Sequence, residues 1–248
     1  MSHELVIRNA HLVDGSGDAG RVADIAVDGA TITAVEPGGT LADGARTIDA
    51  DGLLLTPGWV DVHTHYDAQV TWDPFVTPSG WHGVTTVMMG NCGVGFAPAA
   101  PAHRTALIEM MESVEDIPGT ALTAGLQWGW ESYAEYLDVL GSMPRVMDVA
   151  SQIGHCPLRV YVMGERGVAN EPATDADIAT MSGLVEDALR AGAFGFTTSR
   201  TPIHKTKVGD VVPGTNADER ELLGIADAMR RVGRGVFGFA PDHPPLAV

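Results

Sequence analysis

The stretch TPGWVDVHTHYD (residues 56–67) is the most informative part of the sequence for both the fold and the candidate chemistry. A Pro-Gly turn precedes a short apolar strand, which ends in His63 and His65. Residues i and i+2 of a strand point to the same side, so the two imidazoles converge at the strand's carboxyl end. Neutral imidazole is a common ligand of zinc, nickel and iron. An isolated His-X-His pair more often starts a polar loop, but the strand before this pair favours a metal site.

Beyond residue 58, apolar strands alternate with helices. The predicted strands that follow the first one are VTTVMMGNCG (84–93), RVMDVASQIGH (145–155), AFGFTTSR (193–200) and GVFGFAP (235–241). The predicted helices are HRTALIEMMESVED (103–116), ESYAEYLDVLGSM (131–143), ATDADIATMSGLVEDALRAG (173–192) and NADERELLGIADAMRRVG (216–233). This alternation predicts βα units around a parallel sheet. We expect an α/β fold in which residues 58–248 form about five strands of a partial (β/α) TIM-type barrel.

The first 57 residues have a different rhythm, with short strands, tight turns and no helical period. Asp28-Gly29 is a strong hairpin signal, and a second Asp-Gly turn follows at Asp51-Gly52. Residues 1–57 are therefore expected to form the N-terminal part of a small β-sandwich domain that precedes the barrel.

Composition excludes several classes of function. The formal net charge of −17 argues against nucleic-acid binding, which needs a basic surface. Apolar runs stop well short of the ~20 residues that a membrane helix needs, so no membrane partner is expected. No signal peptide is visible, and two cysteines are too few for a disulfide scaffold. A cytoplasmic location is the resulting expectation.

Cys92 is the third candidate metal ligand. It follows the second predicted strand in Gly-Asn-Cys-Gly, and a thiolate is a strong zinc ligand. Most free cysteines are buried and inert, but the strand-end position beside His63 and His65 favours ligation. Cys156 is expected to lie in the core.

Three further residues have open roles. His155, after the third strand, is a ligand, a substrate hydrogen-bond donor or a satisfied polar residue beneath the site. Asp67 either supports a metal ligand from behind or is solvated. His204 lies in the polar loop TPIHKTKVGDVVPGT (201–215), where it either contacts substrate or is solvated. This loop is a candidate cover for the site.

The motifs also carry a family resemblance. TPGWVDVHTHYD resembles the signature of the amidohydrolase superfamily. GVTTVMMGNCGVGFAP (83–98) and IGHCPLRVYVM (153–163) resemble its D-aminoacylase branch, the N-acyl-D-amino-acid deacylases. The resemblance implies one or two zinc ions, with His63 and His65 as first-strand ligands. It also implies that Cys92 matches the cysteine that replaces the usual bridging carboxylated lysine.

The implied reaction is hydrolysis of a small N-acylated amino acid to a D-amino acid and a carboxylate. The family's catalytic aspartate follows strand eight and would lie beyond Val248, so the catalytic residue is unknown. Ala240 stands where the family has its strand-five histidine, and His243 is a weak substitute. We therefore expect a chain that is truncated and inactive alone, or one that completes itself as a homo-oligomer.

Two alternative functions remain at this point. One is a catalytically inactive, truncated paralogue that binds metal or a partner without turnover. The other is an amidohydrolase of the hydantoinase or dipeptidase type, which would act on a different cyclic or linear amide.

Overall fold

The computed structural model describes residues 2–115 and 117–241. The chain divides between Gly58 and Trp59 into two compact units, residues 1–58 and residues 59–248.

The first unit contains a five-stranded sheet. Its strands are β1 (Leu5–Leu12), β2 (Arg21–Asp28), β3 (Thr31–Pro37), β4 (Arg46–Asp49) and β5 (Leu54–Leu55). The order is β3-β2-β1-β4, and β5 also pairs with β1. The hairpin predicted at Asp28-Gly29 is confirmed: Asp28 pairs with Thr31 across antiparallel strands, and Gly29 has φ 60°. A sandwich needs a second sheet packed on the first, so the sandwich assignment stays a prediction.

The second unit contains parallel strands. They are β6 (Trp59–Asp61), β7 (Val84–Met89), β8 (Asp148–Ser151), β9 (Ile153–Gly154), β10 (Gly195–Ser199) and β11 (Val236–Ala240). Two three-stranded sheets have the orders β6-β7-β8 and β9-β10-β11, and Gln152 alone separates β8 from β9. Every pair within these two sheets is parallel, so the carboxyl ends of paired strands lie at the same edge. The predicted mixed α/β architecture is confirmed.

Helices connect these strands. They are α1 (Arg104–Glu115), α2 (Gly119–Gly125), α3 (Tyr133–Ser142), α4 (His155–Met163), α5 (Glu165–Val168), α6 (Asp175–Ala191) and α7 (Glu219–Val232). The four predicted helices correspond to α1, α3, α6 and α7. Both ends of α6 are capped: the Thr174 hydroxyl accepts the Asp177 N–H, and Gly192 caps the carboxyl end.

Helix α4 corrects one expectation. The sequence predicted a strand that continues to His155, but β9 ends at Gly154 and α4 begins at His155. Pro157 is the third residue of α4, where a missing N–H costs no hydrogen bond within the helix. The periodicity of a short apolar run does not tell whether it forms a strand or a buried helix.

One large apolar cluster holds the second unit together. It includes Met89, Phe96, Ile153, Leu158 and Phe196, all at most 1% exposed. Cys156 lies in this cluster, as predicted. Across residues 2–115 and 117–241, each helix is too short or too polar to cross a membrane.

Candidate metal centre

Three potential ligands converge at the carboxyl ends of two adjacent parallel strands. His63 and His65 follow β6, and Cys92 lies in a single 3-10 turn, Asn91–Gly93, just after β7. One ring nitrogen of each histidine and the Cys92 Sγ all lie within 4.8 Å of one another. Cys92 Sγ is 3.2 Å from His63 Nε2. Zinc–ligand bonds of about 2.0–2.3 Å allow one ion to reach all three atoms after small side-chain adjustments.

The backbone around Cys92 is unusual. Cys92 has φ 56°, and Gly90 and Gly93 both have φ 75°. A side chain at Gly90 would place Cβ only 1.9 Å from the Gln152 carbonyl oxygen. Left-handed backbone is rare outside glycine, so the two glycines permit a tight reversal that cysteine alone would resist.

Hydrogen bonds tie this turn to the histidine pair. The Gly90 N–H donates to Asp67 Oδ1 at 2.8 Å. Asn91 Nδ2 donates to the carbonyl of Thr64, the residue between the two histidines, at 3.3 Å. Gln152 Nε2 in turn donates to Asn91 Oδ1 at 3.1 Å. The spacing between Cys92 and the histidines is therefore fixed by side chains outside the ligand set.

Asp67 is buried, so the solvated alternative does not describe it. Burial raises the pKa of its carboxyl to about 7. Its Oδ1 atom supports the turn before Cys92, and its Oδ2 atom has no hydrogen-bond partner in the described part of the chain. Asp67 thus contacts the turn that bears the candidate ligand Cys92.

Burial shifts the pKa values of His65 and Cys92 in ways that matter for metal binding. Burial, with contributions from His63 and His204, lowers the pKa of His65 to about 4, so its imidazole is neutral at pH 7. The buried His65 Nδ1 has no hydrogen-bond partner among residues 2–115 and 117–241. Burial, with the carboxylates of Glu115 and Asp67, raises the pKa of Cys92 to about 11. A bound cation would have to displace the thiol proton.

Glu115 is a site residue that the sequence analysis missed. It is the last residue of α1, and its Oε1 lies 3.3 Å from His65 Nε2. Its pattern in the sequence is that of a charged residue at the end of an amphipathic helix. The return of α1 to the strand ends is a tertiary feature, and no local signal reveals it.

His204 lies near the same edge. Its Nδ1 is 2.9 Å from the Ser199 Oγ at the end of β10, and burial and the nearby His63 lower its pKa. Within its loop, Lys207 forms a 2.6 Å ion pair with Glu112 of α1. The loop and α1 are therefore joined beside the candidate ligands.

His155 has no free ring nitrogen for substrate. Its Nδ1 lies 2.8 Å from Thr198 Oγ1 and its Nε2 lies 2.7 Å from Glu221 Oε1, and the ring is fully buried. This geometry fits the third alternative, a satisfied polar residue beneath the site. At the end of β11, Ala240 pairs with Ser199, and its methyl side chain cannot bind a metal ion. His243 lies outside the described residues.

Comparison with known proteins identifies the family. The model of the amidohydrolase family matches residues 46–244. This chain belongs to the amidohydrolase family. The resemblance to the D-aminoacylase branch is confirmed by the relatives that follow.

The D-aminoacylase of Alcaligenes xylosoxydans xylosoxydans is 36% identical over 197 residues, which cover 79% of this chain and 37% of that protein. A D-aminoacylase structure with a binuclear metal centre has a TM-score of 0.74 and 29% identity, covering 95% of this chain and 44% of that one. The N-acyl-D-glutamate deacylase of Bordetella bronchiseptica, complexed with zinc and a phosphonate inhibitor, has a TM-score of 0.71 and 27% identity. That match covers 96% of this chain and 45% of the deacylase. The chain spans less than half the length of each.

A cleft adjoins the candidate ligands of this amidohydrolase. Its volume is about 460 Å³, and its lining includes His63, Asn91, Cys92, Gln152, Thr197 and Phe239. The cleft is lined by candidate metal ligands and by apolar strand residues. It can therefore hold an organic molecule beside a metal ion.

Proposed function

We propose that this chain serves the zinc-dependent hydrolysis of an N-acyl-D-amino acid to a D-amino acid and a carboxylate. The observation that carries the proposal is the convergence of His63, His65 and Cys92 within 4.8 Å at the carboxyl ends of parallel strands. The similarity to D-aminoacylase and to N-acyl-D-glutamate deacylase supports the substrate class.

The residues fit a zinc ion. Two imidazoles and a thiolate are a preferred donor set for zinc. The buried, unpartnered His65 Nδ1 is a second indication, because buried polar atoms without partners are costly. One or two ions are proposed, as in the family. When bound, zinc would polarise the amide carbonyl and lower the pKa of a water molecule.

The chain's own residues would prepare this chemistry. His63 and His65 would hold the metal ion through a ring nitrogen each, and Cys92 would hold it as a thiolate. Asp67 and Asn91 hold the Cys92 turn against the histidine pair. His204, at the rim, is proposed to contact substrate. The family's aspartate after strand eight is proposed as the base that moves a proton from water to the leaving amine.

The remaining architecture is also proposed. Residues 58–248 are assigned to a (β/α) barrel and residues 1–57 to a β-sandwich domain, because both fit the amidohydrolases with which the chain aligns. About five barrel strands would come from these residues, and further copies of the chain are candidate partners.

Metal analysis combined with an amidase assay tests the proposal. The 248-residue chain and its Cys92→Ser and His63→Ala variants are dialysed against zinc and analysed for bound metal. Release of free amino acid is then followed with N-acetyl-D-methionine and N-acetyl-L-methionine. We expect zinc binding that each variant weakens, and any turnover to favour the D substrate. Zinc binding that neither variant changes would refute the site, and hydrolysis of a hydantoin or dipeptide instead would refute the substrate class.

A further inference from the structure

Thr197 lies beneath the Cys92 turn and contacts both of its ends. It occupies the middle of β10 and is 2% exposed. Its hydroxyl accepts the N–H of Gly93 at 3.0 Å and donates to the carbonyl of Gly90. One side-chain oxygen therefore forms hydrogen bonds with the backbone on both sides of Asn91 and Cys92.

We propose that Thr197 is a positioning residue for Cys92, which sets the direction of the thiolate toward His63. The inference rests on the proposed role of Cys92 as a metal ligand. In this role Thr197 acts through the turn, by holding Gly90 and Gly93 at a fixed separation.

The turn needs such a support because its conformation is strained. Cys92 has φ 56°, which costs a non-glycine residue free energy. The turn also packs directly on β10: a Cβ at Gly93 would lie 2.8 Å from the Thr198 Cα. Gly90 and Gly93 are buried. Without the hydroxyl, the Gly93 N–H and the Gly90 carbonyl would lose their hydrogen-bond partner at a place that water does not reach. Relaxation of these groups would turn the Cys92 Sγ away from the histidines.

Threonine is suited to this role by its two different branches. Its hydroxyl faces the turn, while its methyl group faces β11, where a Cβ at Gly238 would lie 3.2 Å from Thr197 Cγ2. A β-branched residue in a strand has restricted χ1 rotation, so the hydroxyl is held in place. Valine keeps the shape and removes the hydrogen bonds, whereas serine keeps the hydroxyl.

Cobalt(II) titration of the 248-residue chain tests the proposal, because a cobalt–thiolate bond gives a near-ultraviolet charge-transfer band. Cys92→Ser supplies the spectrum without this bond. Thr197→Val should lower cobalt affinity about 10–100-fold, as for other residues that orient metal ligands, and weaken the band per bound ion. Thr197→Ser should retain the band and most of the affinity. Thr198→Val is the matched control: it removes a neighbouring buried hydroxyl that contacts His155, so it should lower the melting temperature and leave the band unchanged.

The outcomes separate this inference from the function on which it rests. Wild-type affinity and band in Thr197→Val would overturn the positioning role, as would equal losses in Thr197→Val and Thr198→Val. If the wild-type chain binds cobalt without the band, the ligand role of Cys92 fails and the inference fails with it. Should Thr197→Val not fold, Thr197→Ala tests the same loss with a smaller residue.

Discussion

At the scale of single residues, the candidate centre depends on backbone conformations as much as on ligand chemistry. Gly90 shows this most clearly, since its φ of 75° and its contact with the Gln152 carbonyl both exclude a side chain. The role of Gly90 is conformational: it permits the chain to turn after β7 so that Cys92 faces His63.

Gly90→Ala is therefore expected to damage both stability and metal binding. The left-handed backbone costs alanine about 1–2 kcal/mol, and the Cβ at 1.9 Å from a main-chain oxygen adds a clash that no side-chain motion relieves. We expect a loss of more than about 2 kcal/mol in the free energy of unfolding, measured by urea denaturation, and loss of the cobalt–thiolate band. Gly141→Ala in α3 is the control: its added Cβ meets nothing within 4 Å, and it should gain about 0.5–1 kcal/mol. Equal stability of the two variants would contradict the argument.

The convergence of the candidate ligands was predictable from sequence, but the contacts of the residues around them were not. His63, His65 and Cys92 lie just after two strands, and their imidazole and thiol groups mark them as candidates. Asn91 was visible in the same motif, yet its bond to the Thr64 carbonyl depends on how two loops meet. Thr197 is 104 residues from the Gly93 N–H that it accepts. Side chains that act through distant backbone leave no periodic or compositional signal.

A second residue-scale prediction concerns Asp24 in the first unit. Its buried carboxylate accepts the N–H groups of Asn9 at 2.8 Å and of Gly39 and Leu41 at 3.0 Å each. Burial alone would raise the pKa of this carboxyl, but the backbone hydrogen bonds outweigh it and hold the pKa below its ordinary value of 3.8. A carboxyl whose pKa is lower in the folded state stabilises the folded protein fully at pH values above its unfolded-state pKa. This stabilisation is lost as the pH falls through the folded-state pKa.

Asp24→Asn should therefore be less stable than the wild type at pH 7, by about 1–3 kcal/mol for the hydrogen-bond donors left poorly paired. The difference should shrink as the pH falls below the ordinary carboxyl range. Denaturant unfolding at a series of pH values measures both effects. A difference that stays constant down to strongly acidic pH would show that the charge of Asp24 contributes nothing.

At the scale of elements, the alternation of helical and strand patterns identified the long helices, and the structure shows how their first turns are stabilised. Asp218 accepts the Glu221 N–H at the start of α7, and a capping box starts α6. Helix α4 was not predicted because it has no alternation of buried and exposed faces: most of its residues are buried, including the charged Arg159. The charge of Arg159 is balanced by Glu221 of α7, a pairing that only the folded chain reveals.

The pair between α4 and α7 leads to the third prediction. Glu221 accepts both from Arg159 and from His155, and all three side chains are at most 1% exposed. Glu221→Gln removes the charge and leaves a buried guanidinium without its counter-ion, which typically costs about 3–5 kcal/mol. Glu219→Gln, on the exposed side of the same helix, should change stability by less than about 0.5 kcal/mol. Urea unfolding compares the two variants, and similar small effects would show that Arg159 is solvated or paired elsewhere.

At the scale of the whole molecule, the alternation of strands and helices predicted the parallel pairing and the edge at which the candidate ligands meet. The sequence could not predict what covers the outer strands. Among the described residues, β6 pairs only with β7 and β11 pairs only with β10. Both strands carry large apolar side chains in contact with water, including Trp59, Val60, Val236 and Phe239, each more than half exposed.

These exposed strands predict that the 248-residue chain associates with itself. Unpaired strand edges bearing apolar side chains are templates for pairing with another chain. Sedimentation velocity should show species heavier than the 26.0 kDa monomer that increase with protein concentration. The double variant Val60→Lys/Phe239→Lys should show less association, because charge on an edge strand opposes pairing. Val208→Lys is the control, since Val208 is 83% exposed but belongs to the 201–215 loop and to neither strand. A chain that remains monomeric at every concentration, or an equal effect of Val208→Lys, would mean that β6 and β11 do not drive association.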